Sequence, residues 1–254
     1  MEGSTQEDIE LYPIFSHEKF ISLVDSIDTI SVRGTNYNKK ALFFTDTENN
    51  KWVWKKLSPR VLLTEYIISL LAQFLEIPIP QSILSKIGHC YGLLQFWIEG
   101  GEELQKSKNR IETKLKELIV FEAWIGALDR HGANYLVTSD QIWAIDYEDS
   151  FSTKTMGSEL LLYYPWLGEM DFESEVRKIQ SEIDKKKLIS LKNKILKEFP
   201  LPLDSRARIA LMKFVDEIFT FLLKNRQHLS ILVEEYLYYN SKSNYIFNFK
   251  QKFR

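Results

Sequence analysis

The run from Asp129 to Asp146 reads D-R-H-G-A-N-Y-L-V-T-S-D-Q-I-W-A-I-D. It sets a carboxylate, an amide five residues later and a second carboxylate twelve residues beyond that. These residue types at this spacing suit phosphoryl transfer from a metal-bound nucleotide. Asp129 can orient a hydroxyl and accept its proton, while Asn134 and Asp146 hold Mg2+ against the phosphates. Asn134 can instead serve only a turn, and Asp146 only the start of the next loop. Neither of those roles explains why the strand W-A-I-D ends in a carboxylate opposite Asn134. A tight hairpin, 135–137 with 142–145, would bring both oxygen donors to one end.

Asp129 follows an apolar run directly, and a helix C-terminus repels a carboxylate. It therefore calls for a positive partner: Arg130, His131 or a metal. His131 can alternatively be a buried histidine that bonds the loop backbone. It is a poor ligand for Mg2+, which prefers oxygen.

Such chemistry needs a lysine on the phosphates and a carboxylate to steady it. Lys55 ends the strand W-V-W-K, and Glu65 lies on the helix that follows, on the turn able to face that strand. The pair can equally be a strand-end lysine and a solvated glutamate. Alternation puts the competing Lys56 on the opposite face.

Around these residues the chain reads as strand, loop, strand, turn, strand from Thr29 to Lys56. A helix then begins at Ser58 (N-cap) and Pro59 (first helical position) and is stopped by I-P-I-P at 77–80. Short strands are expected at 82–87 and 91–97. I-E-G-G-E-E reads as a flexible connection, and the boundary between the halves, 1–101 and 102–254, falls there. The second half reads as helical. A buried helix spans 115–128, apolar on most sides, and further helices are expected at 172–198, 204–223 and 227–239. The first dozen residues are polar and read as frayed. Lys185 to Lys187 read as a solvated helix face. The aromatic, basic tail Y-I-F-N-F-K-Q-K-F-R suits an edge strand, a docked segment or a partner contact equally well.

The whole chain bounds these readings. Its 254 residues, 44% hydrophobic and 27% charged, make a soluble globular protein of one large domain or two small lobes. A net charge of −2 gives no case for nucleic acid or an anionic membrane. The single cysteine, Cys90, excludes an internal disulfide framework and suits a reducing cytoplasm. No apolar run approaches a spanning length, and the acidic start is unlike a signal peptide.

The residues that carry the chemistry resemble the HipA-like kinases, within the wider group that includes phosphoinositide kinases. The resemblance lies in W-V-W-K (52–55), T-E-Y-I-I-S-L-L-A (64–72), I-P-I-P (77–80), F-E-A-W-I-G-A-L-D-R-H-G-A-N-Y-L-V (121–137), W-A-I-D-Y-E-D-S-F (143–151) and F-L-L-K-N-R-Q-H-L (221–229). It covers roughly 30–235, and it is specific in D-R-H-x-x-N and I-D and loose elsewhere. It implies an α+β, two-lobed protein-kinase-like fold, with a small β-rich lobe carrying one helix and a mostly helical second lobe. It implies Asp129 as catalytic base, Lys55 on ATP and paired with Glu65, and Asn134 and Asp146 on Mg2+. Gly34 and Thr35 would lie in the phosphate-covering loop. The strand L-L-Q-F-W-I-E, with Gln95, Trp97, Ile98 and Glu99, looks like a hinge that would bind adenine through its backbone. Two departures stand out: Ala127 replaces an Asn that many relatives carry two residues before the catalytic Asp, and the glycine-rich loop is reduced to R-G-T-N-Y-N.

The resemblance implies a Mg-ATP-dependent kinase acting on Ser or Thr of a protein. The alternatives are a pseudokinase that uses the cleft to bind a partner protein, and a lipid or small-molecule kinase. Ser31, Thr35 and Ser150 are candidate autophosphorylation sites, where added charge would compete with the ATP phosphates.

Overall fold

The computed structural model describes residues 9–11, 32–33, 40–45, 50–87, 90–108, 114–153, 158–199 and 204–238. The proposed phosphate-loop residues Gly34 and Thr35, Ser31 and the aromatic tail lie outside the described residues.

The N-terminal half is an antiparallel sheet against one helix. Its strands are β1 (Ile9–Leu11), β2 (Val32–Arg33), β3 (Lys40–Thr45), β4 (Lys51–Lys56), β5 (Ser82–Ile87) and β6 (Cys90–Phe96), in the order β1-β5-β6-β4-β3-β2. The stretch read as a frayed start thus contributes an edge strand, with Ile9 opposite Ile87. Backbone pairing to β5 recruits a segment, I-E-L, too short to stand out as a strand by itself. β4 lies between β3 and β6, with Lys55 opposite Ala41 on one side and Leu93 on the other. Its residues Trp52, Val53 and Trp54 are all buried. Gly92 makes room for this packing, since a Cβ there would lie 2.4 Å from the Trp54 ring.

Helix α1 (Pro59–Leu75) starts where expected, with Ser58 extended ahead of Pro59, but the Ser58 side chain makes no capping bond and Pro59 alone sets the first turn. It is buried along almost its whole length because it packs on β5 and β6. Glu76, in the left-handed region, ends it with its N–H on the carbonyls of Ala72 and Gln73. Pro78 then passes its carbonyl to the Ala144 N–H at 2.9 Å. This bond ties the end of α1 to the hairpin that leads into Asp146.

The second half has a small sheet, β7 (Glu102–Glu103), β8 (Tyr135–Val137) and β9 (Ile142–Ala144), in that order. The connection read as flexible therefore ends in a strand, because β8 offers its outer edge to Glu102 and Glu103. Helix α2 (Leu115–Ile125) is buried at every residue but Lys116 and Glu117 and packs against α4 (Glu173–Glu182) and α6 (Ser205–Gln227). Its last turn is locked by Trp124, whose ring N–H donates to the Leu222 carbonyl at 3.0 Å and whose carbonyl accepts from Asn225 at 2.9 Å. A short helix α3 (Leu160–Tyr163), α5 (Lys185–Glu198) and a last helix over 229–238, here α7, complete the half. The single helix expected over 172–198 is two, because Asp184 caps a new one by accepting the Lys187 N–H at 2.7 Å. Among the described residues no helix is long and apolar enough to cross a membrane.

Candidate active site

Gly126 closes α2 in the left-handed region at φ 58°, where a Cβ would meet the Ser152 carbonyl at 2.5 Å. The chain then runs alongside the loop that follows Asp146. Leu128 donates to the Asp149 carbonyl at 3.1 Å, and Phe151 donates back to the Ile125 carbonyl at 2.8 Å. The two segments that carry the polar motif are therefore hydrogen-bonded neighbours before any side chain is considered.

Asp129 and Asp146 both have positive φ, 52° and 55°. Non-glycine residues in that region cost on the order of 1 to 3 kcal/mol each and persist only where surrounding bonds hold them. The Asn134 side-chain amide donates to the Asp129 carbonyl at 3.0 Å, across the single 3-10 turn Gly132–Asn134. Arg130 does more. Its guanidinium is buried and donates to the carbonyls of Ile145 (2.8 Å), Asp146 (3.0 Å) and Asn134 (3.3 Å). It also forms an ion pair with the buried Glu122 at 2.9 Å. Arg130 lies over the rings of Tyr147 and Tyr135, 4.0 and 4.8 Å from their centroids.

With its carbonyl bonded, Asp129 turns its carboxylate outward, 70% exposed, and His131 Nε2 stands 3.8 Å away. Of the partners considered for Asp129, His131 is thus the near one. It is not the buried histidine that the sequence allowed, for its side chain is 45% exposed. The buried group that bonds the loop backbone is Arg130.

Asn134 lies across from Ile145, whose N–H donates to the Asn134 carbonyl at 2.9 Å. Asp146 follows directly. The hairpin therefore sets the two oxygen-bearing side chains at one end, as the sequence required. Asn134 spends its amide nitrogen on Asp129, so the side-chain oxygen is what it offers a cation. A carboxylate and an amide oxygen form a hard donor set of the kind Mg2+ takes.

Lys55 comes to this end of the hairpin from the other half of the chain. Its Nζ lies 2.6 Å from Asp146 Oδ1. Glu65 is buried on α1 and accepts the Tyr147 N–H at 2.7 Å rather than an ion pair from Lys55. Burial pushes the Glu65 carboxyl up to about 7; Lys55 opposes that shift and Asp146 adds to it. Burial pulls the Lys55 ammonium down, but Asp146 and Glu65 outweigh it and hold the group above its ordinary value. Lys56 is exposed on the opposite face.

The strand compared with a hinge is partly engaged already. The Trp97 N–H donates to the Lys51 carbonyl at 2.9 Å, and the buried Gln95 amide donates to Ser82 Oγ at 3.1 Å. Glu99 forms an ion pair with Lys51 at 2.5 Å. The N–H groups of Ile98 and Glu99 make no backbone hydrogen bond among the described residues. Ser150 has its hydroxyl oxygen buried, so a phosphate there would require the loop to open.

Sequence reading missed the group behind the loop. The Glu122 carboxylate accepts from Arg130 Nε and from the hydroxyls of Tyr135, Tyr147 and Tyr236, at 2.9 to 3.1 Å. Burial first of all, and the Glu122 carboxylate with it, raises all three phenols well above their ordinary range, so they remain donors. The available signal was a glutamate inside L-I-V-F-E-A-W-I, where a helix buried on all sides leaves a carboxylate no water. Glu159 was missed as well, and it accepts the Gly132 N–H at 2.7 Å.

No family model matches the chain, and no curated relative does. Solved structures do. The proinflammatory kinase CtkA of Helicobacter pylori is 16% identical, over 80% of this chain and 96% of that one, at a TM-score of 0.50. The N-terminal 618-residue fragment of LepB from Legionella pneumophila is 18% identical, over 77% of this chain and 46% of the fragment, at 0.54. HipA of Shewanella oneidensis, solved with HipB and operator DNA, is 13% identical over 92% of this chain and 75% of that one, at 0.48. At such identities the first two likenesses establish the fold alone. The chain has the α+β, protein-kinase-like fold that its resemblance to HipA-like kinases implied.

Proposed function

We propose that this protein is a kinase that transfers the γ-phosphate of ATP, bound with Mg2+, to a hydroxyl, and that the hydroxyl is a serine or threonine of a protein. The observation that carries the reading is the meeting of Lys55 with Asp146, 91 residues on, at 2.6 Å and beside Asn134 and Asp129. A cation, two oxygen donors for a metal and an outward carboxylate are the parts phosphoryl transfer uses.

Asn134 Oδ1 and the Asp146 carboxylate would hold the ion. Bound there, Mg2+ offsets the charge that gathers on the phosphates. Lys55 leaves Asp146 for the α- and β-phosphates, and Glu65 stays close behind it. The backbone amides of Ile98 and Glu99 would receive adenine. Asp129 accepts the proton of the acceptor hydroxyl as its oxygen bonds to the γ-phosphorus. The bond to the β,γ-bridging oxygen breaks, and ADP leaves.

The test is incubation of the purified chain with γ-labelled ATP and Mg2+, alone and with lysate proteins, followed by phosphoamino-acid analysis. Label on serine or threonine is the expected result. Label on inositol lipid in place of protein would move the acceptor class. Binding of nucleotide with no transfer would make the site a nucleotide-dependent interaction module.

A further inference from the structure

The site just described is held from behind by a buried polar cluster to which phosphoryl transfer itself assigns no part. Glu122 and Arg130 are both fully buried and paired at 2.9 Å. A buried pair of this kind contributes little net stability, because desolvation offsets the attraction. Packed apolar side chains would fill the same space at least as well. What apolar side chains cannot do is donate to the carbonyls of Asn134, Ile145 and Asp146, as the Arg130 guanidinium does. Those carbonyls lie in the two segments that carry Asn134 and Asp146, and Arg130 itself follows Asp129.

The planar fork of Arg130 can hold both segments only if it is itself fixed. Glu122 fixes it from the centre of α2. The carboxylate is oriented in turn by three phenols from three separate parts of the chain: Tyr135 on β8, Tyr147 beyond Asp146, and Tyr236 on α7. Tyr135 also meets the buried Ser158 hydroxyl, and Ser158 bridges Arg130 in backbone register. The last described helix, α7, reaches the cluster through a buried stripe of Leu229, Val233 and Tyr236, spaced four and three residues apart.

We propose that Glu122 and Arg130 are positioning residues that set the Asp129, Asn134 and Asp146 segments relative to one another, with Tyr236 as their anchor on α7. The inference rests on the functional reading above for its catalytic consequence, though not for its structural one. Glu122 lies behind the site and acts through Arg130 and through the hydroxyls of Tyr135 and Tyr147, which adjoin Asn134 and Asp146.

The test compares Glu122→Gln, Arg130→Met, the double variant and Tyr236→Phe. Each is measured for unfolding, for backbone amide exchange over 128–135 and 144–149, and for phosphotransfer. Each charge-removing single variant leaves a buried partner without its counter-charge, so each is destabilised. In the double variant both charges are gone and most of the stability returns. Amide protection in the two segments nevertheless stays down by about tenfold or more, and kcat stays down by about 100-fold. Tyr236→Phe keeps the fold and raises exchange in the same two segments while α2 is unchanged. A double variant that regained native protection and turnover along with its stability would overturn the proposal. Where the double variant does not fold, Tyr236→Phe with exchange unchanged, or raised equally in α2, would overturn it. A native chain without phosphotransfer would sink the functional reading alone, since the exchange measurement still decides the positioning role.

Discussion

Lys55 Nζ stands 2.6 Å from Asp146 Oδ1, while Glu65 accepts from the Tyr147 backbone at 2.7 Å. The lysine therefore rests on the carboxylate proposed for the metal and not on the acid of α1. Asp146 is 52% exposed and Lys55 24% exposed, so water screens the pair and it adds little to stability. It can be exchanged cheaply. Mg2+ arriving at Asp146 and phosphates arriving at Lys55 would each take one partner, and Glu65 remains as a second carboxylate for the lysine.

The Asp129 carboxylate faces solvent, with His131 Nε2 3.8 Å away. Asp129→Asn keeps the shape and removes the proposed base. Turnover should fall by about 10²- to 10⁴-fold with nucleotide affinity unchanged, as steady-state transfer and a direct binding titration would show. Equal losses in both would count against a role confined to the proton.

Glu65 gives a pH dependence of defined sign. Its carboxyl rises from the ordinary 4.5 to about 7 on folding, so between those values the folded chain holds a proton that the unfolded chain has lost. Stability from this group is complete below the unfolded value and is lost as pH rises through the folded one. The full difference is on the order of 3 kcal/mol. Glu65→Gln should flatten the fall in stability between pH 5 and 8 and should be the more stable chain at pH 8. Urea unfolding at several pH values checks this, and an unchanged slope in the variant would contradict it.

Gly126 sets the exit from α2 immediately before the segment proposed to be catalytic. At φ 58°, with the Ser152 carbonyl 2.5 Å from a built Cβ, Gly126→Ala meets both backbone strain and a clash. A loss of about 2 kcal/mol or more is expected in denaturant unfolding. A loss below a few tenths of a kcal/mol would show that the loop after Asp146 can move aside.

Much of this was legible in the chain. The D-x-x-x-x-N spacing and the W-A-I-D strand gave the hairpin that brings Asn134 to Asp146, because the strand repeat and the turn residues are local signals. Ser58 and Pro59 likewise announced α1. The edge strand Ile9–Leu11 was illegible because its partner, β5, lies more than seventy residues away in the sequence and three residues, I-E-L, are too short a run to stand out after a polar start. The break at Asp184 was missed because the amphipathic repeat continues across it, and only the cap shows where one helix ends. Which of Arg130 and His131 turns inward was left open for a related reason. Adjacent residues point to opposite sides of a turn, and only the buried carboxylate of Glu122 decides which goes inward. That carboxylate was visible in the sequence, but its partners come from four places that periodicity cannot connect.

The most direct measurement is thermal unfolding of the native chain and of Asp146→Ala, each with ATP alone and with ATP plus Mg2+. Ligand that binds only the folded state stabilises it by about 2.7 kcal/mol at a hundredfold excess over Kd. The native chain should gain several degrees with ATP and Mg2+ together and much less with ATP alone, and Asp146→Ala should show no Mg2+-dependent gain. Equal stabilisation of both proteins, or none in the native chain, would contradict the assignment of Lys55, Asn134 and Asp146 to a metal-nucleotide site.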